Sequence, residues 1–262
     1  MSDKFSVSNG IKQGGILSPK LFNIYVDVLS KNLNKENVGC IVSDLKINHL
    51  YYADDLVLIS PCITGLQILL NVCCTYSIEY DLKFNEMKSV CIYFKPDHFK
   101  INPYLSLNMN GIKVSFVISW KYLGHIVSAD ASDNEDIKRQ IRSFYSKGNM
   151  LLRTFSACSN NVKIQLFMAY CGSFYTAQLW AKFTKKQYSQ LRIAYNNVFR
   201  RFIGYDKFCS ASSMFVKNNV DQFDFVRKLM YGFRSRLMVS DNTLINVYVN
   251  STVWKSSLLC NL

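Results

Sequence analysis

The sequence predicts an α+β fold, with an antiparallel sheet and helices on one of its faces in residues 1–127 and a mainly helical unit in residues 128–262. Three observations support this prediction. β-branched and aromatic runs alternate with amphipathic helices in the first half, the periodicity becomes helical after about Asp130, and the 49% hydrophobic chain contains only 4 Pro. A chain of 262 residues is long enough to bury a core in one or two domains.

The charge balance indicates the class of partner. The chain has 31 Lys and Arg against 18 Asp and Glu, a formal charge of +13 that favours nucleic acid over a membrane surface. No apolar run approaches the roughly 18 residues of a transmembrane span, so we expect no membrane partner. The nine Cys form no CxxC pair, which indicates reduced thiols in an intracellular compartment, nuclear or cytoplasmic.

The first element in order is a glycine-rich loop, Asn9–Pro19, that runs into a helix with Ser18 as its N-cap. Apolar residues at helical spacing predict one buried face, formed by Leu21, Phe22, Tyr25, Val28, Leu29 and Leu33. Gly14 would let a ligand approach the backbone closely, and Gln13 offers an amide beside that surface. The alternative interpretation is a plain loop followed by a helix cap.

An acidic hairpin follows a strand predicted at Cys40–Ile47. The residues Tyr52–Asp55 stand between two apolar runs, and Asp is typical of turns and depleted within strands. Mg²⁺ prefers oxygen ligands and usually takes one or two protein carboxylates. Because successive strand side chains point to opposite faces, we assign Asp54 as the principal ligand and Asp55 as a supporting one. The alternative is an ordinary acidic turn.

The later elements alternate and then become helical. We predict a helix at 65–80, a strand at Val90–Phe94 and a hairpin at Phe116–Val127. Beyond them, helices are predicted to start at Asp133 or Asn134, to run from about 162 to 175, and to run from 185 to 203 before a C-capping Gly204. Their interleaved Lys and Arg residues fit either solvated helix faces or a surface that contacts phosphates.

Four motifs in this order carry a family resemblance. They are Gly10–Pro19, Tyr52–Asp55, Phe84–Ser89 and Tyr122–Gly124. With these motifs the chain resembles the reverse transcriptase of a non-LTR (LINE-type) retrotransposon, from the middle of the palm onward. The resemblance implies a partial polymerase palm in residues 1–127, and a thumb and C-terminal region in residues 128–262.

The resemblance also implies a nucleotide site. Gln13 and Gly14 would lie beside the incoming nucleotide and the template base, together with Tyr52 and Ala53 of the acidic motif. Lys88 would approach the triphosphate as a catalytic residue. The implied activity is RNA-directed DNA polymerisation, with an RNA template, a DNA primer and dNTPs as partners. The sequence leaves the oligomeric state open.

The metal and primer sites follow from the same resemblance. Asp54 and Asp55 would be the catalytic carboxylates that hold Mg²⁺, with two ions neutralising charge during nucleotidyl transfer. The predicted primer grip consists of Trp120, Lys121, Tyr122, Leu123 and Gly124.

The chain departs from the family pattern because two of the family's parts have no match in it. The family supplies a further metal-binding aspartate and the fingers from sequence that precedes the glycine-rich loop. We therefore expect this chain to be a truncated fragment with an incomplete two-Mg²⁺ site and no activity alone. The alternative is a catalytically dead, retrotransposon-derived remnant that still binds nucleic acid.

Overall fold

The computed structural model describes residues 14–94 and 105–251, and these residues form both helices and short antiparallel strands, as an α+β fold requires. The chain divides into two compact units. The first contains the described residues of Met1–Cys91 and Lys100–Ser115, and the second those of Ile92–Phe99 and Phe116–Leu262. No helix within the described ranges is long and apolar enough to cross a membrane.

The first unit contains two long helices and three hairpins. Its elements are α1 (Ser18–Lys35), β1 (Cys40–Val42), β2 (Leu45–Ile47), β3 (His49–Tyr52), β4 (Asp55–Leu58), α2 (Ile63–Glu79), β6 (Asn108–Met109) and β7 (Ile112–Lys113). The strands pair antiparallel as β1–β2, β3–β4 and β6–β7. Two further strands, β5 (Val90–Ile92) and β8 (Ser115–Val117), lie where the chain passes between the units.

The core of the first unit lies between α1 and α2. Its buried residues are Leu29, Leu33, Leu69, Cys73 and Tyr76. The helix predicted at 65–80 is confirmed as α2, and Leu69, Cys73 and Tyr76 recur at helical spacing on its buried side.

The prediction for α1 was wrong in two respects. Leu21 and Tyr25 are exposed, because only the second half of the helix contributes to the core. Ser18 is the first helical residue, since the helix begins one position earlier than expected and Leu17 takes the N-cap position.

The predicted strand at Cys40–Ile47 is instead the β1–β2 hairpin. Ser43 has a positive φ of 54°, so the chain reverses after three residues. All of the described strands are short. They contain two to four residues each and form two-stranded ladders, whereas the sequence predicted one larger sheet.

The second unit begins with a hairpin and continues as helices. Its elements are β9 (Ser119–Tyr122), β10 (His125–Ser128), α3 (Asn134–Phe155), α4 (Asn160–Cys171), a 3₁₀ turn (Ala177–Leu179), α5 (Lys185–Ile203), α6 (Ala211–Lys217), α7 (Phe225–Met238) and α8 (Thr243–Asn250). The predicted span of α5 and the αL cap at Gly204, with φ 93°, are confirmed. The core is rich in aromatic rings, including Phe144, Phe167, Tyr195 and Phe199.

Candidate active site

The acidic hairpin is formed by β3 and β4, and its two-residue turn is Ala53–Asp54. Tyr52 pairs with Asp55 at the end of the ladder, and Ala53 adopts a positive φ of 53°. Both carboxylates are exposed to solvent. The prediction that an acidic motif stands at a hairpin tip is therefore confirmed.

The two faces of this hairpin have different surroundings. In its register Tyr51 lies opposite Leu56, and both pack with Leu58 against the core of the first unit. Asp55 and Tyr52 form the neighbouring cross-strand pair, which the alternation of a strand directs to the other face. One face is thus anchored in apolar packing, and the other presents Tyr52 and Asp55 to solvent at the tip of the hairpin.

The base of the hairpin is fixed to α1 by polar contacts. The buried Asn48 donates from Nδ2 to the Leu33 carbonyl at 2.6 Å, and its own carbonyl accepts from Ile59 N at 2.8 Å. His49 Nε2 lies 2.7 Å from Ser30 Oγ. Burial lowers the pKa of His49, so the neutral ring is favoured. These bonds give His49 a structural role at the base of the hairpin.

The carboxylates at the tip fit the ligand chemistry of Mg²⁺. Within residues 14–94 and 105–251, neither Asp54 nor Asp55 forms an ion pair with a basic side chain, so their oxygens remain available. Mg²⁺ commonly uses one or two carboxylates and completes its shell with water and phosphate oxygens. In those same ranges no group of three or more His, Cys, Asp and Glu is arranged to hold a metal ion.

Lys88 lies on a tight turn at the edge of the same core. Its backbone N–H donates to Asn85 Oδ1 at 3.1 Å, and Ser89 Oγ donates to the Asn85 carbonyl at 2.9 Å. Phe84, just before the turn, packs against the core cluster that also supports Tyr51. Lys88 is exposed, so its ammonium group is accessible from solvent.

The glycine-rich loop is described only in part. Gln13 lies outside the described residues. Gly14 has a φ of 81°, and a Cβ added there would meet no atom within 4 Å. The open backbone at Gly14 agrees with its predicted closeness to a ligand, which itself stays a prediction.

The predicted primer grip is the β9–β10 hairpin of the second unit. Its turn is Leu123–Gly124, with φ values of 45° and 83°. Trp120 and Leu123 are 42% and 38% exposed, and Lys121 is also exposed. Tyr122 pairs with His125 at the end of the ladder.

His125 forms an ion-pair cluster that sequence analysis missed. Its Nε2 lies 3.4 Å from Asp133 Oδ1, and its Nδ1 lies 3.2 Å from Asp136 Oδ2 without the alignment of a hydrogen bond. Burial alone would lower the pKa of His125, but the two carboxylates raise it to about 9. Burial likewise opposes ionisation of Asp136, yet the close contact with His125 and the hydrogen bonds from Thr176, Trp180 and Arg139 hold its pKa far below the usual range. The signal in the sequence was the acidic first turn of α3, which follows His125 by about ten residues and could have indicated an ion pair with it.

Basic side chains are concentrated in the second half of the sequence. Residues 128–262 contain 19 Lys and Arg against 8 Asp and Glu, whereas residues 1–127 are nearly balanced, with 12 against 10. Exposed cations lie on α3 and α5, among them Arg142, Lys147, Lys186, Arg192 and Arg201. This excess makes the helical half the strongly cationic part of the chain.

Residues 2–127, which contain all four motifs, match the reverse transcriptase (RNA-dependent DNA polymerase) family. Similarity to R2 and jockey proteins supports the resemblance to a non-LTR reverse transcriptase that the motifs predicted.

Three relatives define that similarity. The Retrovirus-related Pol polyprotein from type-2 retrotransposable element R2DM of Drosophila melanogaster is 33% identical over 129 residues, covering 47% of this chain and 12% of the relative. The corresponding polyprotein from type-1 retrotransposable element R2 of Popillia japonica is 31% identical over 115 residues, or 44% of this chain and 16% of the relative.

The third relative extends the similarity beyond the family segment. The RNA-directed DNA polymerase from mobile element jockey of Drosophila funebris is 23% identical over 209 residues, covering 76% of this chain and 22% of the relative. An alignment of that length must include residues outside 2–127. The matched segments span between 12% and 22% of these three relatives.

Proposed function

We propose that this chain is part of an RNA-directed DNA polymerase that extends a DNA primer on an RNA template. The observation that carries the proposal is the pair of exposed carboxylates, Asp54 and Asp55, on a core-anchored hairpin within a reverse transcriptase segment. We assign residues 1–127 to a partial palm, and residues 128–262 to a thumb and C-terminal region.

The proposed roles follow from the chemistry of each side chain. Asp54 and Asp55 would hold Mg²⁺, which supplies charge neutralisation at the primer 3′-hydroxyl and the pyrophosphate leaving group. Asp54 occupies the turn itself and Asp55 the first strand position, so their side chains start from different backbone geometries. We therefore keep Asp54 as the principal ligand and Asp55 as the supporting one.

The remaining site residues would bind and orient the substrates. Lys88 would place its ammonium group against the triphosphate, where negative charge develops as the leaving group departs. The exposed Tyr52 and the turn residue Ala53 would contact the nucleotide beside the carboxylates, with Gln13 and Gly14 on the template side.

The helical half would grip the nucleic acid. Phosphate contacts by Lys and Arg carry no sequence preference, and they release counterions on binding. The free cysteines among the described residues agree with the proposed intracellular location.

Metal binding tests the proposal in the chain as it exists. Mn²⁺ added in the presence of a dNTP should broaden the NMR signals of Ala53, Asp54 and Asp55, because a paramagnetic ion relaxes nearby nuclei. Asp54→Asn should remove the effect, while Asp44→Asn, in the turn of the β1–β2 hairpin, serves as a matched control and should leave it unchanged. Equal broadening in the wild-type chain and the Asp54 variant would refute the metal assignment.

Nucleic-acid binding is a separate test. An RNA–DNA duplex should bind the chain with little sequence preference, and the logarithm of affinity should fall linearly with the logarithm of salt concentration. An affinity that does not change between low and moderate salt would contradict a phosphate-gripping surface.

A further inference from the structure

The turn of the β9–β10 hairpin is covered by a tyrosine from a distant part of the sequence. A Cβ added to Gly124 would lie 2.6 Å from Tyr175 Cε1 and 3.1 Å from its Cδ1, so the ring of Tyr175 lies directly against the backbone of the turn. Tyr175 follows α4 and is nevertheless 70% exposed. One side of the ring therefore contacts the turn, and much of the rest faces solvent.

A single buried carboxylate fixes the turn and the tyrosine relative to each other. Asp136, which is fully buried, accepts at Oδ1 from Ile126 N at 3.1 Å and at Oδ2 from Thr176 Oγ1 at 2.5 Å. Ile126 is two residues after Gly124, and Thr176 is the neighbour of Tyr175. Both segments are thus held by the same side chain.

Further partners make this carboxylate a rigid anchor. Trp180 Nε1 donates to Asp136 Oδ2 at 2.9 Å, and Arg139 Nε donates to Oδ1 at 2.8 Å. His125 adds an ion pair from the hairpin side. Because buried charge-assisted bonds are short and directional, Asp136 holds in place Thr176, the residue that follows Tyr175.

The hairpin that the ring contacts carries groups suited to a nucleotide. Trp120 and Leu123 are partly exposed on it, and the exposed Lys121, next to Trp120 in sequence, supplies a positive charge. Aromatic side chains next to cationic groups are the usual platform for unpaired or terminal bases, since every base has a π-face. The basic excess of residues 128–262 favours a nucleic acid as the occupant.

We propose that Tyr175 stacks on the terminal base of the primer strand and extends the primer-binding surface of the Trp120–Gly124 hairpin. This proposal rests on the proposed function, which takes the Trp120–Gly124 hairpin as the primer grip. Tyr175 is a contact residue here, and Asp136 is a positioning residue that acts through Thr176 and Ile126.

Cross-linking tests the contact directly. The 262-residue chain is bound to an RNA template–DNA primer duplex that carries 5-iododeoxyuridine at the primer 3′ end, irradiated, and digested for mass spectrometry. The cross-link should map to Tyr175. With the probe placed eight nucleotides inside the duplex, the cross-link at Tyr175 should disappear.

Affinity measurements on variants provide the second readout. Tyr175→Ala should weaken duplex binding about five- to tenfold, a loss at the lower end of what removal of one stacked base produces. Tyr175→Phe should bind like the wild type, because the ring is kept. Tyr170→Ala, which removes an exposed tyrosine on α4, is the matched control and should change affinity less than twofold. Thermal unfolding of Tyr175→Ala verifies that the chain is folded.

The outcomes separate this inference from the function on which it rests. Binding of the duplex with cross-links only at other residues, or with no loss in Tyr175→Ala, would overturn the role of Tyr175 and leave nucleic-acid binding intact. A failure of the wild-type chain to bind any RNA–DNA duplex would overturn both.

Discussion

The ion-pair cluster around His125 predicts a specific pH dependence of stability, and His125→Gln is the perturbation that isolates it. In the folded chain Asp133 and Asp136 raise the pKa of His125 from 6.5 to about 9 against the opposing effect of burial. A raised folded-state pKa stabilises the fold below pH 6.5, and this contribution is lost as the pH rises from 6.5 through 9. Arg139 also forms an ion pair with Asp136.

The magnitude follows from the pKa difference and the exposure of the ring. A change from 6.5 to about 9 corresponds to about 3 kcal/mol if solvent did not screen the pair. The imidazole is 17% exposed, with contacts of 3.2 and 3.4 Å to the carboxylates. Allowing for screening, we expect His125 to contribute about 1–2 kcal/mol to the free energy of unfolding at pH 6.

Urea unfolding of the wild type and His125→Gln at pH 6, 7.5 and 9.5 measures this contribution. The stability difference between the two proteins should be largest at pH 6 and should shrink toward pH 9.5. Buried thiols also titrate between folded and unfolded states, since burial raises the pKa of Cys73 to about 12 and of Cys171 to about 11. Their effect is common to both proteins and cancels in the difference. A difference that is constant with pH, or that grows toward pH 9.5, would refute the charged pair.

Three further predictions concern other positions. Asp136→Asn should lower the free energy of unfolding by about 3 kcal/mol because it leaves buried cationic partners without their counter-charge, and a loss below about 1 kcal/mol in urea unfolding would argue against the anchor. Gly124→Ala should destabilise the chain by about 1–2 kcal/mol, since the φ of Gly124 is 83° and the Tyr175 ring lies against its backbone. Its control, Gly232→Ala inside α7, has open space around it and should stabilise the chain by about 0.5–1 kcal/mol. A higher thermal midpoint for Gly124→Ala than for Gly232→Ala would contradict both expectations. In the protein encoded by the whole reading frame that contains this chain, Lys88→Ala should slow single-turnover nucleotide incorporation about 10- to 100-fold with little change in duplex affinity. An equal loss in both quantities would show that Lys88 acts in binding.

Local sequence signals predicted the features that depend on neighbouring residues. The hairpin tip at Asp54 was predictable because turn-forming acids interrupt two apolar runs. The span of α5 was predictable because Lys185 begins a periodic helical pattern and Gly204 ends it in the αL conformation. Both signals lie within a few residues of the feature that they determine.

Features that depend on distant residues were not predictable in the same way. The sequence patterns assigned no role to Asp136, because its partners Thr176 and Trp180 lie 40 and 44 residues away. Periodicity likewise placed Leu21 and Tyr25 on the buried face of α1, although a pattern cannot report which part of a helix another element covers.

RNA-templated primer extension tests the central claim most directly. The protein encoded by the whole reading frame that contains this chain is compared with its Asp54→Asn variant, with duplex affinity measured in parallel. Loss of a metal-binding carboxylate should reduce extension by at least about 10³-fold while duplex affinity changes less than twofold, because the charge is removed at the reaction centre and not along the basic helices. Extension by Asp54→Asn at the wild-type rate would contradict the assignment of this hairpin as the catalytic metal site.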